Sequence, residues 1–74
     1  MLTLERAKEV HKAQSQFPSW GNYTKFMTHA EIEHVEWLFQ NAKSGNVSVA
    51  SIVMSIAVGR EIELAPGVEP RYVT

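Results

Sequence analysis

The chain has 74 residues, seven basic and eight acidic side chains for a formal net charge of −1, and no cysteine. Those totals exclude disulfides and thiolate zinc sites. They offer neither the basic excess of a free-standing nucleic-acid binder nor the acidic excess of a DNA mimic, and no apolar run approaches the roughly 18 residues of a membrane span.

A domain this small buries only about 60% of the surface that its unfolded chain exposes, so a protein partner or self-association is the expected source of further stability. The opening Met1-Leu2-Thr3-Leu4-Glu5-Arg6 turns charged at once, unlike a secretory signal, and cytoplasm is the expected compartment.

Thr3 is placed to cap a first helix over 4–17. Leu4, Ala7, Val10 and Phe17 share one face at helical spacing, with Ala13 at its edge. Lys8 and Lys12 lie opposite, spaced for i,i+3 pairs with Glu5 and Glu9 worth a few tenths of a kcal/mol each. Arg6, Lys8, His11 and Lys12 are interleaved with those two glutamates, so this face reads as solvated rather than as a basic patch. Pro18 is expected to end the helix. Phe17, Trp20, Tyr23 and Phe26 then recur at a spacing of three around Pro18 and Gly21, which predicts a loop with a short helical turn. Rings on such a stretch complete a core or grip a partner, which makes Trp20, Tyr23 and Phe26 candidate interaction residues.

The strongest local signal is Met27-Thr28-His29-Ala30-Glu31-Ile32. Thr28 and Glu31 form a capping box, and Met27 with Ile32 has the spacing of a hydrophobic staple. A central helix is predicted over 29–43, with Gly45 as its left-handed stop, and the other elements are expected to lie against it. Ile32, Val35, Leu38, Phe39 and Ala42 form its apolar stripe. Trp37 falls off that stripe, near Ala30 and flanked by Glu33, His34 and Asn41. It is either covered by the aromatic loop or the C-terminal tail, or exposed as an interface anchor; it is the foremost interaction candidate.

Ser48 caps a third helix predicted over 48–58, with Val47 and Ile52 repeating the staple spacing. Val49, Ile52, Val53, Ile56 and Ala57 share a face, Met54 and Val58 extend it nearly all round, and Ser51 with Ser55 makes a narrow polar strip. A helix apolar on almost all sides is a buried one, within the chain or in a dimer core, and the small serine strip joins the candidate interaction residues. Gly59 closes the helix. Glu61-Ile62-Glu63-Leu64 alternates as a short strand does, Ala65-Pro66-Gly67-Val68 suits a type II turn, and Arg71-Tyr72-Val73-Thr74 either returns as a second strand or forms an extended tail.

Glu31-Ile32-Glu33-His34 contains the Glu-x-x-His pair of di-iron bundles, but the remaining glutamates do not supply a matching set of inward carboxylates, so no metal is expected. The chain has no aspartate and no glycine-rich phosphate loop, and no nucleophile stands beside an acid–base partner. Neither an enzyme nor a cofactor site is expected.

From Thr28 onward the apolar spacing resembles helix-turn-helix and winged-helix modules, with residues 28–39 and 48–58 as the helix pair, Ser44-Gly45-Asn46-Val47 as the turn and residues 61–74 as the wing. That resemblance implies a small DNA-binding regulator with Lys8, Lys12, Lys25 and Arg60 as candidate phosphate contacts. Residues 48–58 depart from it, with no arginine, lysine, asparagine or glutamine for base edges. The chain also resembles in style the short accessory proteins of bacteriophages, which implies modulation of a host or phage protein. The expectation is a small, mainly α domain of three helices with an aromatic loop and a short C-terminal β-hairpin or extended tail. Its expected role is a non-enzymatic protein-interaction module and homo-oligomer, with DNA binding as the alternative.

Overall fold

A computed structural model describes residues 1–14, 17–43 and 48–69. Thr3 is extended, and its hydroxyl oxygen accepts the Arg6 N–H at 3.2 Å, which starts α1, Leu4–Ala13. The helix stops well before Pro18. Gln14 leaves helical geometry while its side-chain amide donates to the His11 carbonyl at 3.1 Å, capping the last turn from within the chain. Phe17 therefore lies beyond the helix and is 80% exposed, and Leu4 is 43% exposed. The buried positions on this side are Leu2, Ala7, Val10 and Gln14. Leu2, ahead of the cap, fills the place expected for Leu4.

The aromatic stretch contains a second short helix, α2, Trp20–Thr24. Ser19 caps it by accepting the Asn22 N–H at 3.2 Å, and the Asn22 side chain donates to the Phe17 carbonyl at 2.7 Å. Tyr23 is fully buried from this helix, and Trp20 packs against the core from its first position.

α3, His29–Asn41, begins with the expected capping box: the Thr28 hydroxyl oxygen accepts the Glu31 N–H at 3.2 Å, and the Glu31 carboxylate accepts the Thr28 N–H at 2.8 Å. Met27 packs against the core beside it. The helix ends at Asn41, whose side chain donates to the Trp37 carbonyl, and Ala42 is already extended. The expected stop at Gly45 lies outside the described residues. From Ala42 the chain pairs with residues 63–65: the Lys43 N–H donates to the Glu63 carbonyl at 2.9 Å and the Ala65 N–H to the Asn41 carbonyl at 2.8 Å, around an antiparallel bridge between Ala42 and Leu64. The 61–64 segment thus uses its backbone against the end of α3, and the described residues contain no strand. Residues 71–74, the other half of the expected hairpin, lie outside the described residues. The Ala65–Val68 turn has its closing bond, Val68 N–H to Ala65 carbonyl at 3.1 Å, with Gly67 at φ +84° as a type II turn requires.

α4, Val49–Ala57, starts with a second capping box in which serine replaces the usual Glu or Gln: Ser48 accepts the Ser51 N–H, and the Ser51 hydroxyl oxygen accepts the Ser48 N–H. It ends in a Schellman motif, with Gly59 at φ +79°, its N–H on the Ile56 carbonyl at 3.0 Å and the Arg60 N–H on the Ser55 carbonyl at 2.8 Å. Ile52, Val53 and Ala57 are buried, and α4 packs against α1, α2 and α3. The expectation that α3 organises the fold is therefore corrected: α4 is the helix the others surround. Its apolar circumference, expected to be buried within the chain or in a dimer core, is buried at Ile52, Val53 and Ala57 and half-buried at Val49, Met54 and Ile56 within one chain. No helix among the described residues is long and apolar enough to cross a membrane.

Candidate functional site

Three polar contacts between distant parts of the sequence fix the ends of α1 to its neighbours. In the first, Glu31 is buried on α3 and its two carboxylate oxygens accept from the Arg6 guanidinium at 2.8 and 3.0 Å. Arg6 also donates to Glu9 at 2.8 Å and to the Phe26 carbonyl at 3.1 Å. The ion pair formed within α1 is thus Arg6–Glu9 rather than one of the lysine pairs expected from spacing. The Arg6 hydrogen bonds hold the Glu31 carboxyl down at about 2, against the penalty of burial and with help from the Thr28 N–H. Arg6 is shifted upward in turn by its bonds to Glu31 and Glu9.

The second contact runs from the Leu2 N–H to Nδ1 of His34 at 3.0 Å, with both residues buried. Burial, then the nearby terminal amine, lowers the His34 pKa, so the ring is neutral with Nδ1 bare. The third joins α1 to α2: His11 Nδ1 lies 2.7 Å from the Tyr23 hydroxyl, and burial raises the pKa of that phenol. Gln14 sits buried just past the end of α1, with its side-chain oxygen unpartnered among the described residues.

These partners explain why the buried face of α3 was misplaced. Glu31, His34, Val35 and Leu38 are its buried positions, centred roughly 50° around the helix from the expected stripe at 100° per residue. Ile32 is only half-buried and Phe39 is 41% exposed, whereas Trp37 is half-buried and packs against the core. Of the two alternatives for Trp37, covered or exposed as an anchor, its half-burial against the core fits the first. Tyr23 is wholly buried, Trp20 packs on the core, and Ser51 is committed to its capping box, while Ser55 is half-buried on α4. Phe26, at 45% exposed, is the one aromatic interaction candidate that the structure leaves at the surface. Two phenylalanines not singled out for interaction, Phe17 and Phe39, join it there. Lys8, Lys12, Lys25 and Arg60 are all exposed, on α1, after α2 and after α4.

The Glu-x-x-His pair is engaged in folding, Glu31 with Arg6 and Thr28, and His34 with Leu2. Among the described residues no group of three histidine or acidic side chains is arranged to hold a metal. An open surface groove of about 480 Å³ lies between Lys43 and the Glu61–Val68 stretch, where Ile62, Leu64 and Val68 share the lining with two glutamates, and the Lys43 amine lies 3.8 Å from the Glu63 carboxylate. Compared with family models, with curated proteins and with solved structures, the chain matches none.

Proposed function

We propose that this chain is a non-enzymatic protein-interaction module whose contact surface is built on phenylalanine. The observation that carries the reading is the division of the aromatic residues. The two tryptophans and Tyr23, which have polar atoms suited to a wet surface, pack on or in the core. All three phenylalanines, Phe17, Phe26 and Phe39, which have none, stand between 41% and 80% exposed. Complete burial of a phenylalanine is worth about 1.5–3 kcal/mol, a large gain for a domain of this size to forgo three times. Aromatic side chains are also enriched at the centres of protein interfaces. The titratable groups with shifted pKa values support the same reading, because Glu31, His34 and Tyr23 are all committed to contacts that hold the fold.

Against the DNA-binding alternative stands the position of α4. It would serve as the recognition helix of a helix-turn-helix, yet it packs against α1, α2 and α3 and has no arginine, lysine, asparagine or glutamine for base edges between Val49 and Ala57. Self-association remains within the proposal, with the exposed phenylalanines rather than α4 as the contact.

The experiment is affinity capture from nuclease-treated lysate, with the wild type beside a Phe17→Ser/Phe26→Ser/Phe39→Ser variant matched to it in helix content by circular dichroism. Sedimentation velocity of both proteins reports a second copy as the partner. A stoichiometric partner, or a dimer, that is lost in the variant supports the proposal. A partner retained equally by the variant refutes the phenylalanine surface. Duplex DNA bound with a steep salt dependence and lost on neutralising Lys8, Lys12, Lys25 and Arg60 establishes the alternative.

A further inference from the structure

We propose that His34 is an acid-sensitive latch that holds the N-terminal segment in the core through the Leu2 amide. The bond requires a bare Nδ1. A neutral imidazole has one accepting nitrogen and one donating nitrogen, whereas a protonated ring has two donors. The Leu2 N–H reaches Nδ1 at 3.0 Å, and both residues are buried. A proton on Nδ1 therefore sets two N–H groups against each other where water does not reach, and an unpaired buried donor is costly.

Several charged groups stand around the ring. The Met1 amine lies close enough to repel it. On α3, Glu31 stands one turn earlier but is already gripped by Arg6 of α1 and by the Thr28 N–H, and Glu33 is exposed beside it. α4, which packs on α3, has no ionisable side chain between Val49 and Ala57, and α2 has no charged side chain between Trp20 and Thr24.

Leu2 is the core residue nearest the start of the chain and directly precedes the Thr3 cap. Breaking the latch frees residues 1–3 and loosens the first turn of α1. Ala7 and Val10, buried further along α1, keep that helix in place. The opening is local.

Burial lowers the His34 pKa from 6.5, so the latch is closed at neutral pH. Its contribution to stability is complete above 6.5 and declines as the pH falls from there through the folded-state value. Within that window the open population rises as the pH falls, by at most about tenfold per pH unit.

The test is a ¹⁵N NMR titration of the full chain from about pH 8 to about pH 4.5. It follows the His34 ring nitrogens and the hydrogen-exchange protection factors of the Leu2 and α4 amides, with His11 and His29 as internal comparisons. His34→Asn supplies a comparison that does not titrate, since its side-chain oxygen can stand where Nδ1 stands. The expected result is a bare Nδ1 at high pH and a Leu2 protection factor that falls as the pH drops below 6.5, by at most about tenfold per pH unit, and levels off once the folded ring has titrated, with α4 still protected. In His34→Asn the Leu2 protection is flat over the same range. Nδ1 already protonated at high pH, Leu2 protection unchanged as the ring protonates, or α4 lost at the same midpoint overturns the proposal, as does a His34→Asn variant that follows the wild-type curve. Should His34→Asn not fold, the wild-type titration decides alone.

Discussion

Replacing Glu31 by glutamine separates the two tasks of that side chain. Glutamine keeps an oxygen for the Thr28 N–H, as the third helical position of a capping box allows. It loses the negative charge that Arg6 grips at 2.8 and 3.0 Å. The Glu31 carboxyl titrates at about 2 in the fold against an ordinary 4.5. At about 1.4 kcal/mol per pKa unit, that difference caps the contribution of the charge at roughly 3 kcal/mol. The Arg6 side chain is 38% exposed, so water screens the pair, and about 1–2 kcal/mol is the reasonable share. A domain of this length loses about 4–8 °C of Tm per kcal/mol, which puts Glu31→Gln about 5–15 °C below the wild type at pH 7. Because the folded-state pKa is depressed, the wild-type advantage is complete above 4.5 and disappears as the pH falls toward 2. Thermal melts followed by circular dichroism at neutral pH and through that acid window read both effects. A Tm within about 2 °C of wild type at pH 7, or melting curves that stay parallel from 4.5 down to 2, would refute the charge-pair reasoning.

Four further substitutions, at three positions, probe the packing and a helix end. Ile52→Val should cost about 0.5–1.5 kcal/mol and Ile52→Ala about 2–5, measured by urea unfolding. The second approaches the whole stability of a chain this size, roughly 4–11 kcal/mol. Gly59→Ala forces an alanine to φ +79° at the Schellman turn and should lower stability by about 1–2 kcal/mol, even though no neighbouring atom lies within 4 Å of the added methyl. Trp37→Ala should destabilise by about half of the ~3–5 kcal/mol lost from a fully buried tryptophan. A Tm equal to wild type would restore Trp37 as a surface anchor.

Much of the local structure is legible in the sequence because its causes are local. Thr3, Thr28 and Ser48 all cap helices, Gly59 closes α4, and Pro66-Gly67 makes its turn, each through bonds to residues a few positions away. The errors arise where a partner is distant. Glu31 and His34 lie off the apolar stripe read on α3, but Arg6 and Leu2, 25 and 32 residues earlier, satisfy them inside the fold. Burying those two residues turns the helix, carries Trp37 toward the core and brings Phe39 to the surface. The same turn of α3 leaves Trp37 half-buried against the core and Phe39 41% exposed. Periodicity assigns every polar residue to solvent and has no way to register a polar group that has a long-range partner. Gln14 shows a related effect, ending α1 early by capping it with its own side chain. The 61–64 segment has the alternation of a strand, but alternation does not name its partner, which is the end of α3.

The central claim is that the phenylalanines, rather than the tryptophans or the basic residues, form the contact surface. Hydroxyl-radical footprinting of the chain, free and in its captured complex, reads this side chain by side chain. The account predicts that labelling of Phe17, Phe26 and Phe39 falls on binding while that of buried Tyr23 and core-packed Trp37 does not change. Phenylalanines labelled equally in both states, with protection falling instead on Lys8, Lys12, Lys25 or Arg60, would contradict it.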